Sequence, residues 1–112
     1  MQYLLLINEE EVDRGLMPEY IAFTQALEAA GAMADGNQLQ PAHTATTVRV
    51  RDGETLVTDG PFIETKETLG GYYVIDVESL DEALEWAAKI PSARYGHIEV
   101  RPVVMREAGV SA

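Results

Sequence analysis

The chain has no cysteine among its 112 residues. That absence excludes disulfides, thiolate metal sites, iron–sulfur clusters and cysteine nucleophiles. Its two histidines, His43 and His97, have no neighbour at metal-ligand spacing. Gly70 and Gly71 precede a strand and do not open a helix, so they fail the context of a phosphate-binding loop. We therefore predict no metal site and no cofactor.

Positive charge is also scarce. Eight Lys and Arg stand against 19 Asp and Glu, which gives a formal net charge of −11. Phosphate backbones and anionic headgroups are bound mainly by Lys and Arg, so we predict no binding to nucleic acid or to membranes. The acidic run at residues 9–11 is predicted to be a solvated loop.

Long hydrophobic runs are missing as well. The apolar N-terminal segment ends at Ile7, so it is too short for a signal peptide or a membrane span. It also lacks the basic residues that begin a signal peptide. With 46% hydrophobic and 24% charged residues, the composition is typical of a globular protein. We predict a cytoplasmic protein with one domain at residues 1–104 and a C-terminal tail at residues 105–112, which is frayed from residue 107 onward.

What is present is a regular alternation of strand and helix patterns. Residues 3–7 form a continuous apolar run, which is typical of a buried strand. An apolar stripe at three- and four-residue spacing predicts a helix at residues 17–30, and Ser79 opens a capping box for a second helix. Further strands are expected at residues 32–39, 72–77 and 97–101, and Asp52-Gly53 is typical of a hairpin turn between residues 47–51 and 55–58.

This order predicts an α+β fold: a ferredoxin-like βαβ-βαβ sandwich with an inserted β-hairpin. Two helices cover only one face of such a sheet, yet residues 3–7 are apolar on both faces. An exposed apolar face of that size needs a partner. We therefore predict a homodimer whose sheets pack face to face.

The densest polar segment runs from Asp59 to Glu67. Asp59 and Glu64 are candidate proton carriers, Lys66 is a candidate ligand contact, and Phe62 is expected to anchor the loop by burying its ring. Alternatively, Asp59 satisfies turn amides while Glu64 and Lys66 point separately into solvent.

A second candidate group lies on the strands. Glu99 and Arg101 share one face of the last strand with His97, and Arg101 is a candidate anion anchor. We predict that it shares a ligand site with Asp59 and Glu64, against the strand that carries Tyr72. Alternatively, Glu99 and Arg101 form a purely structural pair.

Several of these motifs occur together in a known family. The chain resembles the DGPF branch of the YCII-related proteins in Asp59-Gly60-Pro61-Phe62, in Glu64 and Lys66-Glu67, and in the segments at residues 69–73, 79–83 and 99–102. The resemblance runs from residue 1 to about residue 104. It implies a ferredoxin-like, dimeric α+β-barrel fold.

The resemblance also bears on function. The wider superfamily resembles small-substrate enzymes of the muconolactone-isomerase type, and some YCII-like members use a His–Asp pair in a dimer-associated pocket. This sequence departs from that pattern because residues 17–30 contain no histidine. Members of the DGPF branch tend to be encoded near alternative sigma factors, which implies a protein partner in sigma-factor regulation.

Two hypotheses follow, and the sequence leaves open whether the protein is an enzyme. The first is a dimeric module that binds a small molecule or a protein partner, with Lys66, Tyr72, Glu99 and Arg101 as ligand contacts. The second is an acid/base enzyme of isomerase or lyase type, acting on a small polar or aromatic-derived substrate through Asp59 and Glu64.

Overall fold

The computed structural model describes residues 1–10 and 14–105. These residues form two α-helices and six strands, in the order β1 Gln2–Glu9, α1 Met17–Ala29, β2 Met33–Gln38, β3 Thr46–Arg51, β4 Glu54–Asp59, β5 Thr68–Asp76, α2 Leu80–Ala88 and β6 His97–Pro102. The α+β class is thereby confirmed. Most of the predicted C-terminal tail lies outside the described residues.

Four strands form one antiparallel sheet in the order β2-β5-β1-β6. This order is consistent with the predicted ferredoxin-like arrangement, in which β1 and β5 lie at the centre. The strand-to-strand register places Leu4 opposite Val74 and Leu6 opposite Tyr72. All four side chains therefore lie on one face of the sheet.

The other face of the sheet packs against the helices and forms the core. Tyr3, Leu5 and Ile7 of β1 are buried there together with Tyr73 and Ile75 of β5. Leu4, Leu6, Tyr72 and Val74 are only partly buried. We call this second face, with these four residues at its centre, the open sheet face.

Helix α1 forms where the apolar stripe predicts it, with Pro18 in its first turn. The stripe points only partly into the core, however. Its members Leu27 and Tyr20 are buried in the core or packed against it, whereas Met17 and Ile21 are about half exposed. Phe23, which is buried, lies outside the stripe, because the core side of the helix is set by packing against Tyr73 and Trp86.

Helix α2 begins at the predicted cap. The Ser79 hydroxyl accepts a hydrogen bond from the Glu82 amide at 3.2 Å, and the Glu82 carboxylate accepts one from the Glu78 amide at 3.0 Å. These bonds satisfy amides that a helix start leaves without partners. No helix within residues 1–10 and 14–105 is long and apolar enough to cross a membrane.

Strands β3 and β4 form a separate two-stranded sheet. Asp52 and Gly53 both have positive φ, at 52° and 78°, as a type I′ turn requires. Thr46 to Asp59 pair residue by residue, and Val48 lies directly opposite Val57. We call residues 46–59 the hairpin. It follows β2 and precedes β5 in the chain.

Candidate functional site

A cavity of about 480 Å³ opens between α1 and the sheet. Helix α1 forms one wall, and the ends of β1, β2 and β5 form the other. Its apolar lining includes Met17, Ile21 and Met33. This is the size and mixed lining expected of a small-molecule site. The polar and charged lining residues are Glu9, Tyr20, Thr24, Gln25, Glu28, Asn37, Gln38, Tyr72, Tyr73 and Ser92.

Two hydrogen-bonded pairs of hydroxyl groups connect α1 to the other elements that line the cavity. The Tyr20 hydroxyl donates to the Ser92 Oγ at 2.6 Å, and the Tyr73 and Thr24 hydroxyls are hydrogen-bonded at 2.9 Å. Tyr20 and Thr24 lie one helical turn apart on α1, so their side chains emerge on the same side of the helix. The pairs hold both tyrosine rings in place and leave hydroxyl lone pairs available to a ligand.

Burial raises the pKa of both tyrosines above the ordinary value of 10.0. Hydrogen bonding between Tyr20 and Ser92 partly opposes that shift in the pKa of Tyr20, and the negative charge of Glu9 adds to it. For Tyr73, the bond to Thr24 is the opposing contribution to the pKa. Both hydroxyls are therefore protonated at neutral pH and act as hydrogen-bond donors rather than as bases.

The charge of the cavity comes from two carboxylates. Glu9 and Glu28 line it, and neither has an ion-pair partner in the part of the chain that the structure describes. The prediction that residues 9–11 form a solvated loop is wrong for Glu9, which ends β1 and is only partly exposed. Glu11 lies outside the described residues.

Glycines shape the sheet side of the cavity. A Cβ at Gly36 would lie 2.8 Å from a ring carbon of Tyr73, and one at Gly71 would lie 3.1 Å from the Asn37 carbonyl oxygen. Both distances are too short for a side chain without displacement of the neighbour. The glycines therefore let β2 and β5 approach closely while the space above them stays open.

The catalytic candidates from the sequence lie elsewhere. Asp59 ends β4 and Glu64 lies in the loop before β5, and both are exposed. Neither lines the cavity. Neither side chain has a hydrogen bond or ion pair within residues 1–10 and 14–105. Phe62 was expected to be buried but is 68% exposed, and its ring stacks under the Arg49 guanidinium instead.

The ligand-contact candidates are divided between surfaces. Lys66 pairs with Glu10 at 3.1 Å, and Arg101 lies 4.0 Å from Glu99, in both cases on exposed surface. Tyr72 alone of the six candidates borders the cavity, but its side chain lies on the open sheet face, where its hydroxyl accepts a hydrogen bond from the Asn37 side-chain amide. The shared site of Asp59, Glu64 and Arg101 stays a prediction.

The last strand follows its predicted alternation. Ile98 and Val100 pack against the core, which leaves His97, Glu99 and Arg101 on the opposite side. The His97 ring lies 3.4 Å from the Glu67 carboxylate. Glu67 also borders a second cavity of about 450 Å³, formed by the loops at residues 39–45 and 61–69. Within the described residues, no group of three or more side chains has the geometry of a metal site.

The residues that sequence reasoning missed are those on α1. Tyr20 and Thr24 belong to the stripe that predicts the helix. Two hydroxyl residues four positions apart within an apolar stripe could have indicated a polar pocket on that side of the helix. Ser92 gave no signal, because it follows α2 in a short turn far from α1 in the sequence.

Comparisons with known proteins agree with this fold. The YCII-related domain matches residues 1–106. An uncharacterized protein of Rhizobium meliloti (strain 1021) is 41% identical over 102 residues, which cover 89% of this chain and 82% of that protein. Among solved structures, 5-chloro-2-hydroxyhydroquinone dehydrochlorinase from Burkholderia phenoliruptrix AC1100, in complex with 2,5-dihydroxybenzoquinone, is similar with a TM-score of 0.56 at 16% identity. The match covers 93% of this chain and 94% of that one.

Proposed function

This chain belongs to the YCII-related family, and from that premise we propose that it is a small-molecule-binding module. We place the binding site in the cavity between α1 and the sheet. The observation that carries this proposal is the cavity itself, with its apolar floor and its two hydrogen-bonded hydroxyl pairs. Convergent polar groups in an apolar cavity are the usual form of a ligand site.

The charge of the lining favours one class of ligand. The described lining includes two carboxylates and no Lys or Arg side chain, and the whole chain carries a net charge of −11. An anion would therefore be repelled, whereas a protonated amine gains a charge-assisted hydrogen bond. We propose a ligand with a ring-sized apolar body and an amine or hydroxyl group.

We also propose that the module is a homodimer. The open sheet face supports this, because Leu4, Leu6, Tyr72 and Val74 form an apolar centre that neither α1 nor α2 covers. Two copies stacked through this face would remove it from water. A protein partner in sigma-factor regulation is a further proposal, which is supported by the family resemblance alone.

Acid/base catalysis is the competing proposal. One observation favours it: the negative charge of Glu9 acts on the Tyr20 hydroxyl within the cavity. In that case Glu9 would take a carbon-bound proton from the substrate, and the Tyr20 hydroxyl would turn away from Ser92 to donate its hydrogen bond to the enolate oxygen that forms. Enolisation uses a carboxylate as the base and a hydrogen-bond donor for the enolate oxygen, and neither group has to be a histidine.

The binding proposal is tested with three probes of one shape: 2-phenylethylamine, 2-phenylethanol and phenylacetate. Calorimetry on the purified protein should rank the amine first and the carboxylate last. Glu9→Gln should weaken amine binding by about tenfold, since a charge-assisted hydrogen bond is lost. Glu10→Gln is the matched control, because the neighbouring Glu10 pairs with Lys66 outside the cavity.

A blocked cavity provides the second arm of the test. Ile21→Trp should fill the site and abolish binding of all three probes, whereas Leu84→Trp, at a similarly exposed position on α2, should leave binding intact. Equal binding to both tryptophan variants would refute the site. Exchange of the α-protons of phenylacetone, a ketone of similar shape, with deuterium from D2O that stops in Glu9→Gln would favour the enzyme over the binding module.

A further inference from the structure

One side of α1 places three polar groups along the cavity at a regular spacing. Tyr20, Thr24 and Glu28 follow one another at four-residue intervals, and all three line the cavity. Residues at this interval lie on the same side of a helix. Since a helix rises about 1.5 Å per residue, neighbouring members of the row are roughly 6 Å apart along the axis and its two ends are roughly 12 Å apart.

The end of the row at Tyr20 is negatively charged because of Glu9. The Glu9 side chain lies over Gly70, where a Cβ would be 3.1 Å from the Glu9 Oε1 atom. Gly70 itself lines the cavity. The Glu9 charge reaches the Tyr20 hydroxyl, because it contributes to the raised pKa of that group. A carboxylate therefore stands at this end of the cavity.

The other end of the row is negatively charged because of Glu28. This residue lies in the last turn of α1, shortly before Met33 begins β2. Neither Glu28 nor Glu9 has an ion-pair partner among the described residues, and the described lining includes no Lys or Arg. The cavity thus carries one carboxylate at each end, with the Thr24 hydroxyl halfway between them.

We propose that this cavity binds a linear polyamine, with a terminal ammonium group at each carboxylate and a central ammonium group at the Thr24 hydroxyl. The inference rests on the proposed ligand site and names the class of its ligand. Amines that are separated by three or four methylene groups have nearly the spacing of the polar groups along α1. The methylene segments would pack against Ile21 and Met33, which form part of the apolar lining.

The central contact decides between a polyamine and a plain diamine. The Thr24 and Tyr73 hydroxyls are hydrogen-bonded to each other at 2.9 Å, and the Thr24 Oγ1 atom keeps a lone pair whichever of them donates. An ammonium group in the middle of the cavity loses hydration and needs such an acceptor. The net charge of −11 attracts any polycation, so only contacts inside the cavity make the site selective.

The test uses two probes of equal length. Spermidine has eight chain atoms between its terminal nitrogens, and 1,8-diaminooctane has a methylene group in place of the central amine. Calorimetry at about 0.15 M NaCl, where long-range attraction is screened, should show spermidine binding several-fold more tightly. Thr24→Val keeps the branched shape without the hydroxyl, so it should abolish this preference. Circular dichroism and binding of 2-phenylethylamine report whether the cavity of this variant is intact.

The far carboxylate is tested separately. Glu28→Gln should weaken both long probes by about tenfold, because each loses one charge-assisted hydrogen bond. It should leave 2-phenylethylamine within about twofold, since that shorter probe binds at Glu9. Glu85→Gln is the matched control, because it removes an exposed helical carboxylate outside the cavity.

Three results would overturn the polyamine. They are unchanged spermidine binding in Glu28→Gln, equal weakening in Glu28→Gln and Glu85→Gln, and wild-type binding of 1,8-diaminooctane as tight as that of spermidine. The second result would mean attraction to the net charge only. If 2-phenylethylamine still binds and depends on Glu9, the proposed ligand site stands while the polyamine fails. A protein that binds neither kind of amine refutes both.

Discussion

At the scale of single residues, the tyrosines of the two hydroxyl pairs, Tyr20 and Tyr73, predict how stability depends on pH. Burial raises the pKa of Tyr20 and of Tyr73 above 10.0, so the folded protein holds these protons more tightly than the unfolded chain. For a group whose pKa is raised by folding, the stabilisation is complete below the unfolded pKa and is lost as the pH rises through the folded pKa. Stability should therefore fall above about pH 10.

We predict that removing both hydroxyl groups makes the unfolding free energy depend less steeply on pH. Tyr20→Phe combined with Tyr73→Phe should lower the unfolding free energy at pH 8 by about 1–3 kcal/mol for two lost hydrogen bonds. It should also flatten the decline above pH 10, because the ionising groups are gone. Urea titrations at pH 8 to 11 measure both. Tyr95→Phe, at an exposed tyrosine, is the control and should leave the decline unchanged; an equal decline in the double variant would contradict the assignment.

At the scale of elements, the backbone that leads from the turn after α2 into β6 lies very close to the backbone of β1. A Cβ built on Gly96 would lie 2.0 Å from the Asn8 carbonyl oxygen. The carbonyl belongs to β1 at the point where its register with β5 shifts, between Ile7 and Asn8. Neither backbone can move without disturbing the central strand, so only glycine fits.

Gly96→Ala should therefore lower the unfolding free energy by about 1–3 kcal/mol, as overpacking of a filled site does. Gly70→Ala is the comparison, because the nearest atom there belongs to the flexible Glu9 side chain at 3.1 Å. Its effect should be smaller. Chemical denaturation of both variants gives the two values, and a harmless Gly96→Ala would show that β1 and β6 can separate at this point.

The secondary-structure elements also show which features of the protein the sequence can predict. Strand alternation, the Ser79 cap and the Asp52-Gly53 turn are local signals, and each element they predict is present. The cavity is not local: it needs α1, three strands and Ser92 together. The Asp59 to Glu67 segment was predicted to carry site residues because it is polar, but polarity alone does not distinguish a ligand site from an exposed loop.

The phase of α1 shows the same limit in one helix. Met17, Tyr20, Ile21 and Thr24 share a side, and a stripe of that kind predicts a helix whether it faces a core or a cavity. Which residues of α1 face the core is decided by the packing of Phe23 against Tyr73 and Trp86. These two contacts join residues about 50 and 63 positions apart in the chain, so no local sequence pattern predicts them.

At the scale of the whole molecule, apolar attraction and charge repulsion compete. Each chain has a net charge of −11, so two copies repel each other over a range set by ionic strength, roughly 10 Å at 0.1 M salt. The open sheet face supplies the apolar attraction. Salt screens the charge repulsion without weakening this attraction.

The homodimer should accordingly tighten as salt is added. Raising NaCl from about 0.02 to 0.5 M shortens the screening length from tens of ångströms to a few, and the dimer dissociation constant should fall several-fold in sedimentation titrations. Leu4→Asp should abolish the dimer at every salt concentration while the monomer stays folded, because Leu4 lies on the open sheet face. Leu5→Asp is the contrast: Leu5 is fully buried in the core, and an unpaired charge there should unfold the chain. Dissociation by added salt would instead show that ion pairs, not apolar faces, hold the copies together.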